Sequence, residues 1–181
     1  MNTHRLETAI SFAMHAHHGQ TRKGEDTPYV VHPLSVSLLL AQYGFDEDVV
    51  IGGILHDVIE DTDASLDDIA ELFGDSVASL VASVSHNETL PWIDKKKYYI
   101  ELVRVGGEGA KAISTADKIA NAESLLQSYA MVGPALWERF NAGRDKKLWF
   151  EHAMLTMLQE TWNHPLVDEY ATYVARMDAL A

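Results

Sequence analysis

Apolar residues recur at helical spacing through this 181-residue chain, and no segment alternates apolar and polar residues as a half-buried strand would. Leu6, Ile10, Ala13, Met14 and His17 fall on one helical stripe that stops at Gly19. Residues 19–31 form a polar loop broken by Gly24 and Pro28. Pro33 suits the first position of a helix reaching Tyr43, and Gly44 ends it. Asp46 caps the next predicted helix, 47–60, and Ser65-Leu66-Asp67-Asp68 opens another that ends near Gly74. Further helices are predicted over 75–86, 92–105, 109–128, 134–141, 144–161 and 165–179, separated by Pro91, Gly106-Gly107, Gly133-Pro134 and Gly143. The expectation is an all-α fold: one orthogonal helical bundle of about eight to ten helices, spanning 1–181 as a single domain.

Charge narrows the partners. Fourteen basic against 27 acidic residues give a net charge of −13, which provides no global attraction for nucleic acid or an anionic membrane. An anionic small molecule would need a local cation cluster or a metal. Cysteine is absent, so thiolate ligands and disulfides are excluded, in keeping with a reducing cytoplasm. No apolar run approaches the eighteen or so residues of a membrane span, and Glu7 interrupts any leader-like N-terminus. The expectation is a cytoplasmic protein; its oligomeric state is not legible.

The apolar run Val49–Leu55 leads directly into His56-Asp57-Val58-Ile59-Glu60-Asp61, six residues with four ionisable groups. On a helix, His56 and Glu60 are i,i+4 neighbours, as are Asp57 and Asp61, so one helix end can offer an imidazole and three carboxylates to one cavity. His32 stands just before Pro33, and Asp117 follows small residues in Ser114-Thr115-Ala116-Asp117-Lys118-Ile119-Ala120-Asn121. Two imidazoles and two carboxylates form a mixed N/O set suited to Mn²⁺, Fe²⁺, Zn²⁺ or Co²⁺, and the lack of sulfur favours a catalytic over a structural centre.

The order His32, His56-Asp57, Asp117 resembles the HD phosphohydrolase superfamily. More narrowly, the chain resembles the hydrolase domain of the RelA/SpoT enzymes and, in length, the stand-alone small alarmone hydrolases. The resemblance is carried by Ala16–Lys23, Pro28–Pro33, Leu55–Thr62, Phe73-Gly74 and Ala116–Asn121, a motif core over about 8–127, with C-terminal helices following over about 134–179. It implies an HD-type bundle and an Mn²⁺ site formed by His32, His56, Asp57 and Asp117, with Glu60 and Asp61 managing the attacking water and its proton. It further implies a purine nucleotide substrate, with Arg22 packing on the base, Lys23 facing phosphate, Asn121 at the ribose and Lys96 reaching the phosphates. The implied reaction is release of pyrophosphate from the 3′ position of guanosine tetra- or pentaphosphate.

Departures bear on the substrate. Ser114-Thr115 stands where the family usually has Lys-Leu, and Glu123 where it usually has Arg. A carboxylate facing the phosphates would replace attraction with repulsion. Two other readings therefore stay open: the same metal chemistry on an adenosine polyphosphate or the 2′-phosphate of NADPH, and a nucleotide-sensing module without turnover. The pairing of intact ligands with Glu60 and Asp61 speaks against the sensor. No synthetase segment follows the motifs, so hydrolysis without synthesis is expected. Trp149 and the histidines 15, 18, 86, 152 and 164 are read as structural or exposed.

Overall fold

A computed structural model describes residues 1–22, 26–85, 89–139 and 143–180. Among these, ten α-helices and no strands occur: α1 (Thr3–Ala16), α2 (Val31–Gln42), α3 (Glu47–Leu55), α4 (Val58–Asp61), α5 (Leu66–Phe73), α6 (Asp75–Ala82), α7 (Trp92–Val105), α8 (Glu108–Val132), α9 (Gly143–Thr161) and α10 (Pro165–Asp178). The segment expected as a helix over 134–141 is instead a 3-10 helix, Gly133–Arg139. The only extended pairing among the described residues is an isolated bridge between Thr21 and Pro28. No helix among them is long and apolar enough to cross a membrane.

The helix signals act as their chemistry dictates. Asp46 accepts from the Val49 amide at the start of α3, and Ser65 with Asp68 forms a complete capping box on α5, devices each stabilising a helix end by about 1 kcal/mol. At α2 the prediction was two residues late. Backbone turns from Pro28 and Tyr29 lead straight into the helix, so Pro33 lies within its first turn, where a missing N–H leaves no bond unmade.

Helix α3 is the centre of the molecule. Every residue from Val49 to Leu55 is buried, and the helix packs against α1, α2, α6 and α8. Val49 and Val50 join an apolar cluster shared with α2, α8, α9 and α10. Ile51, Ile54 and Leu55 join a second cluster built with α1, α5 and α6. Gly53 permits this close approach, since a Cβ there would stand 2.5 Å from Leu40 Cδ1. The C-terminal end of α3 thus opens at the seam between two cores.

Candidate metal centre

The continuous helix expected over 47–60 is interrupted. α3 ends at Leu55 and α4 begins at Val58, with Asp57 at φ −98°, ψ −8° between them. On an unbroken helix, adjacent side chains diverge by about 100°. Both residues keep backbone angles of the right-handed helical region, yet their side chains reach one point, with His56 Nε2 3.1 Å from Asp57 Oδ2.

Four donor atoms meet there from three elements. His32 Nε2, from α2, lies 3.0 Å from Asp117 Oδ1 of α8 and 3.6 Å from Asp57 Oδ2. His56 Nε2 lies 3.1 Å from Asp57 Oδ2 and 3.7 Å from Asp117 Oδ1. The donor atoms of His32, His56 and Asp57 all fall within 4.8 Å of one another. An ion bound about 2.1 Å from each of four tetrahedral donors would separate them by roughly 3.4 Å. The spacing of His32, His56 and Asp57 therefore suits a divalent cation, and Asp117 Oδ1 reaches both imidazoles as a fourth candidate donor without belonging to that three-residue group.

The surrounding bonds set the direction of each donor. His56 Nδ1 bonds the Gly53 carbonyl at 2.9 Å, which fixes the ring with Nε2 toward the cluster; that buried Nε2 has no hydrogen-bond partner. A buried, unsatisfied nitrogen among carboxylates is the arrangement a metal ligand leaves. His32 faces the cluster with Nε2, which bonds Asp117 Oδ1 at 3.0 Å; its Nδ1 is unpartnered, and the ring is held between Tyr29 and His56 at centroid distances of 6.0 and 5.4 Å. The electrostatics agree. Burial opposes charge on His56, yet Asp57 and Asp117 outweigh it and raise the imidazole well above its ordinary range. Burial likewise opposes ionisation of Asp57, but His56 prevails and lowers it to about 2. The cluster is a trap for positive charge.

Of the two water-handling candidates, Glu60 is half-buried and Asp61 lies at the rim. Partial burial and the Asp57 carboxylate raise Asp61, while the Tyr29 hydroxyl opposes them. Glu60 is among the charges acting on Tyr99 of α7.

Arg22 and Asn121 are brought together: the guanidinium donates to Asn121 Oδ1 at 3.3 Å, and Asn121 Nδ2 donates to Asp117 Oδ1 at 2.5 Å. Lys23 lies outside the described residues. Lys96 stands over the Phe150 ring at 4.6 Å, with burial, Lys118 and Lys147 lowering it to about 8. Trp149 is not a core residue; it is 37% exposed, beside Trp92 at 6.1 Å between ring centroids. Ser114 and Thr115 are fully buried; Ser114 accepts from Tyr99 at 2.9 Å and Thr115 donates to the Lys111 carbonyl. They fill the core and do not face a ligand. Glu123 is exposed and acts on Tyr173 of α10, two residues round the helix from Asn121.

Sequence reasoning missed three residues. Tyr29 donates to Asp57 Oδ2 at 2.6 Å. His17 packs against Tyr29 with ring centroids 4.8 Å apart and planes tilted by 43°, and bonds Gln20, which in turn donates to the Asp61 carbonyl. Lys118 is buried with its ammonium 2.5 Å from Asp117 Oδ2; burial disfavours its charge, but Asp117, Tyr99 and Glu151 raise it far above the ordinary range. Tyr29 and Lys118 each stand next to a motif residue, and that adjacency was the available signal.

A helical bundle with this His/His-Asp/Asp cluster defines a class. The chain belongs to the HD-domain family, whose model, described as HD domain, matches residues 9–145. Within it, the chain is similar to the mouse guanosine-3′,5′-bis(diphosphate) 3′-pyrophosphohydrolase MESH1, 38% identical over 123 residues that cover 66% of this chain and 69% of that protein. It is also similar to the bifunctional (p)ppGpp synthase/hydrolase SpoT of Escherichia coli K12, 44% identical over 100 residues, 55% of this chain and 14% of SpoT. A solved structure described as a metazoan ortholog of SpoT that hydrolyzes ppGpp superposes with a TM-score of 0.83 at 31% identity, over 100% of this chain and 99% of the other.

Proposed function

We propose that this chain hydrolyses the 3′-diphosphate of guanosine tetra- or pentaphosphate in the cytoplasm, giving GDP or GTP and pyrophosphate. The observation that carries this reading is the cluster of His32, His56, Asp57 and Asp117 donors at the end of α3, in a chain whose relatives bear that activity in their names. These four residues would hold the metal, with Mn²⁺ our choice among divalent ions. Such an ion supplies Lewis acidity, lowering the pKa of water and offsetting phosphoryl charge.

The chain's own groups do the rest. A bond forms from the water oxygen to the phosphorus attached to O3′ as the phosphorus–O3′ bond breaks. Glu60 or Asp61 accepts the water's proton, and O3′ takes a proton from solvent as it leaves as the ribose hydroxyl. Arg22 offers a planar cation for stacking on the purine, Asn121 an amide for the ribose, and Lys96 a cation for phosphate. Glu123 is exposed and acts on Tyr173 of α10, which supports the reading that it does not oppose so anionic a substrate.

A substrate panel with Mn²⁺, read by product analysis, tests this. Guanosine tetraphosphate should give equimolar GDP and pyrophosphate. Single phosphate from NADPH with no pyrophosphate from guanosine tetraphosphate would overturn the substrate. Glu60→Gln should retain the metal and lose about 10²–10⁴-fold in turnover if Glu60 is the proton acceptor.

A further inference from the structure

Helix α4 is four residues long, a single turn, and a turn that short does not hold itself. The Glu60 and Asp61 amides both bond the Asp57 carbonyl, at 3.2 and 3.1 Å, which ties the start of the turn to a candidate ligand. Its last carbonyls have no helical partner. Thr62 donates to the Val58 carbonyl at 2.5 Å, a local bond. The Asp61 carbonyl is met from elsewhere in the chain: Gln20 Nε2, 41 residues earlier, donates to it at 2.7 Å.

Gln20 is itself held at two points. Its side-chain oxygen lies 2.8 Å from His17 Nδ1, and its main-chain carbonyl accepts from the Tyr29 amide at 2.9 Å. A carbonyl only accepts, so the Gln20 amide turns its nitrogen to Asp61 and its oxygen to His17, whose Nδ1 then carries the hydrogen. His17 is 3% exposed and packed against Tyr29, and its Nε2 has no hydrogen-bond partner among the described residues. The ring therefore spends its one such bond on Gln20. A circuit results: Asp61 to Asp57 through the turn, Asp57 to Tyr29 through the phenol, Tyr29 to Gln20 through the main chain, and Gln20 back to Asp61. Arg22 has supports of its own, its amide bonding the Thr27 carbonyl at 2.9 Å and its guanidinium bonding Asn121.

We propose that Gln20 is a positioning residue for Asp61: its amide, oriented by His17, holds the end of α4 and so fixes where the water-handling carboxylate stands relative to the metal ligand Asp57. The inference rests on the function proposed above and extends it to two residues that touch neither metal nor substrate.

The test measures amide hydrogen exchange, Mn²⁺ affinity and steady-state kinetics on wild type, Gln20→Met, His17→Phe and His17→Asn. Gln20→Met keeps the length and removes the donor, while the main-chain bond to Tyr29 survives. It should quicken exchange of the Glu60 and Asp61 amides about 5–10-fold, the worth of one hydrogen bond. It should lower kcat about 10–100-fold through the misplaced carboxylate, with KM and Mn²⁺ affinity as in wild type. His17→Phe keeps a ring against Tyr29 without the N–H and should move exchange and kcat the same way by less. His17→Asn, whose amide can donate from near the Nδ1 position, should recover part of that loss. Wild-type exchange or wild-type kcat in Gln20→Met would overturn the proposal, as would Mn²⁺ affinity falling in step with kcat, which would place the effect at the metal centre. His17→Asn as impaired as His17→Phe would overturn the part given to His17. If Gln20→Met does not fold, the His17 pair carries the same test. A wild type that releases no pyrophosphate from guanosine tetraphosphate would overturn the proposed function instead, and the exchange rates would still decide whether Gln20 holds α4.

Discussion

The Tyr29 hydroxyl donates a 2.6 Å hydrogen bond to Asp57 Oδ2, the oxygen that also faces His56 Nε2 at 3.1 Å. Burial, then the charge of Asp57, raises the phenol and keeps it a donor. Asp57 is thereby held by a side chain that no ligand motif would single out. Tyr29→Phe should leave the fold intact, weaken metal binding about 10–100-fold and reduce kcat. Metal titration and steady-state kinetics check it, and an unchanged affinity would show that backbone alone orients Asp57.

Gly53 joins fold to site. Gly→Ala inside a helix ordinarily stabilises by about 1 kcal/mol. Here the new Cβ would stand 2.5 Å from Leu40 Cδ1, a fully buried side chain, with Val36 Cγ1 and Ser37 Cα also close at 3.5 and 3.6 Å. Overpacking of this kind costs about 1–3 kcal/mol, so Gly53→Ala should lower stability overall in denaturant unfolding. The Gly53 carbonyl also orients His56, so metal affinity should fall in the same variant.

Lys96 gives the reaction a pH signature. Burial first, then Lys118 and Lys147, lower its ammonium to about 8. The cation is present below that value and is lost as pH rises through it. If Lys96 meets substrate phosphate, KM should climb above pH 8 while remaining flat between pH 6 and 7, within the range where the ammonium stays charged. Lys96→Met should raise KM at neutral pH and remove the climb. A KM profile identical in wild type and Lys96→Met would exclude the contact.

Periodicity made the bundle legible because every long helix buries one face, and caps such as Asp46 and Ser65 marked true starts. The candidate ligand set stood out because its residue types and order are unusual together. The interruption at His56-Asp57 was not legible, since neither residue breaks helices by propensity. The groups behind the ligands escaped for a related reason. Tyr29 acts through a contact between elements far apart in the chain, and Lys118, although adjacent to Asp117, reads in the sequence as an ordinary surface charge. The doubts raised by Ser114, Thr115 and Glu123 could be resolved only by burial and direction. Two of these residues are interior, and the third is exposed.

The central claim is that divalent metal held by His32, His56, Asp57 and Asp117 drives release of pyrophosphate from guanosine tetraphosphate. The most direct measurement is pyrophosphate release by metal-stripped protein before and after Mn²⁺ is restored, for wild type and Asp57→Ala at matched helical content. Wild type should be inactive when stripped and recover on Mn²⁺ addition with one ion bound per chain, whereas Asp57→Ala should neither retain the ion nor recover, because losing one of four ligands sharply weakens metal binding. Full pyrophosphate release by stripped wild type, or by Asp57→Ala, would contradict the account.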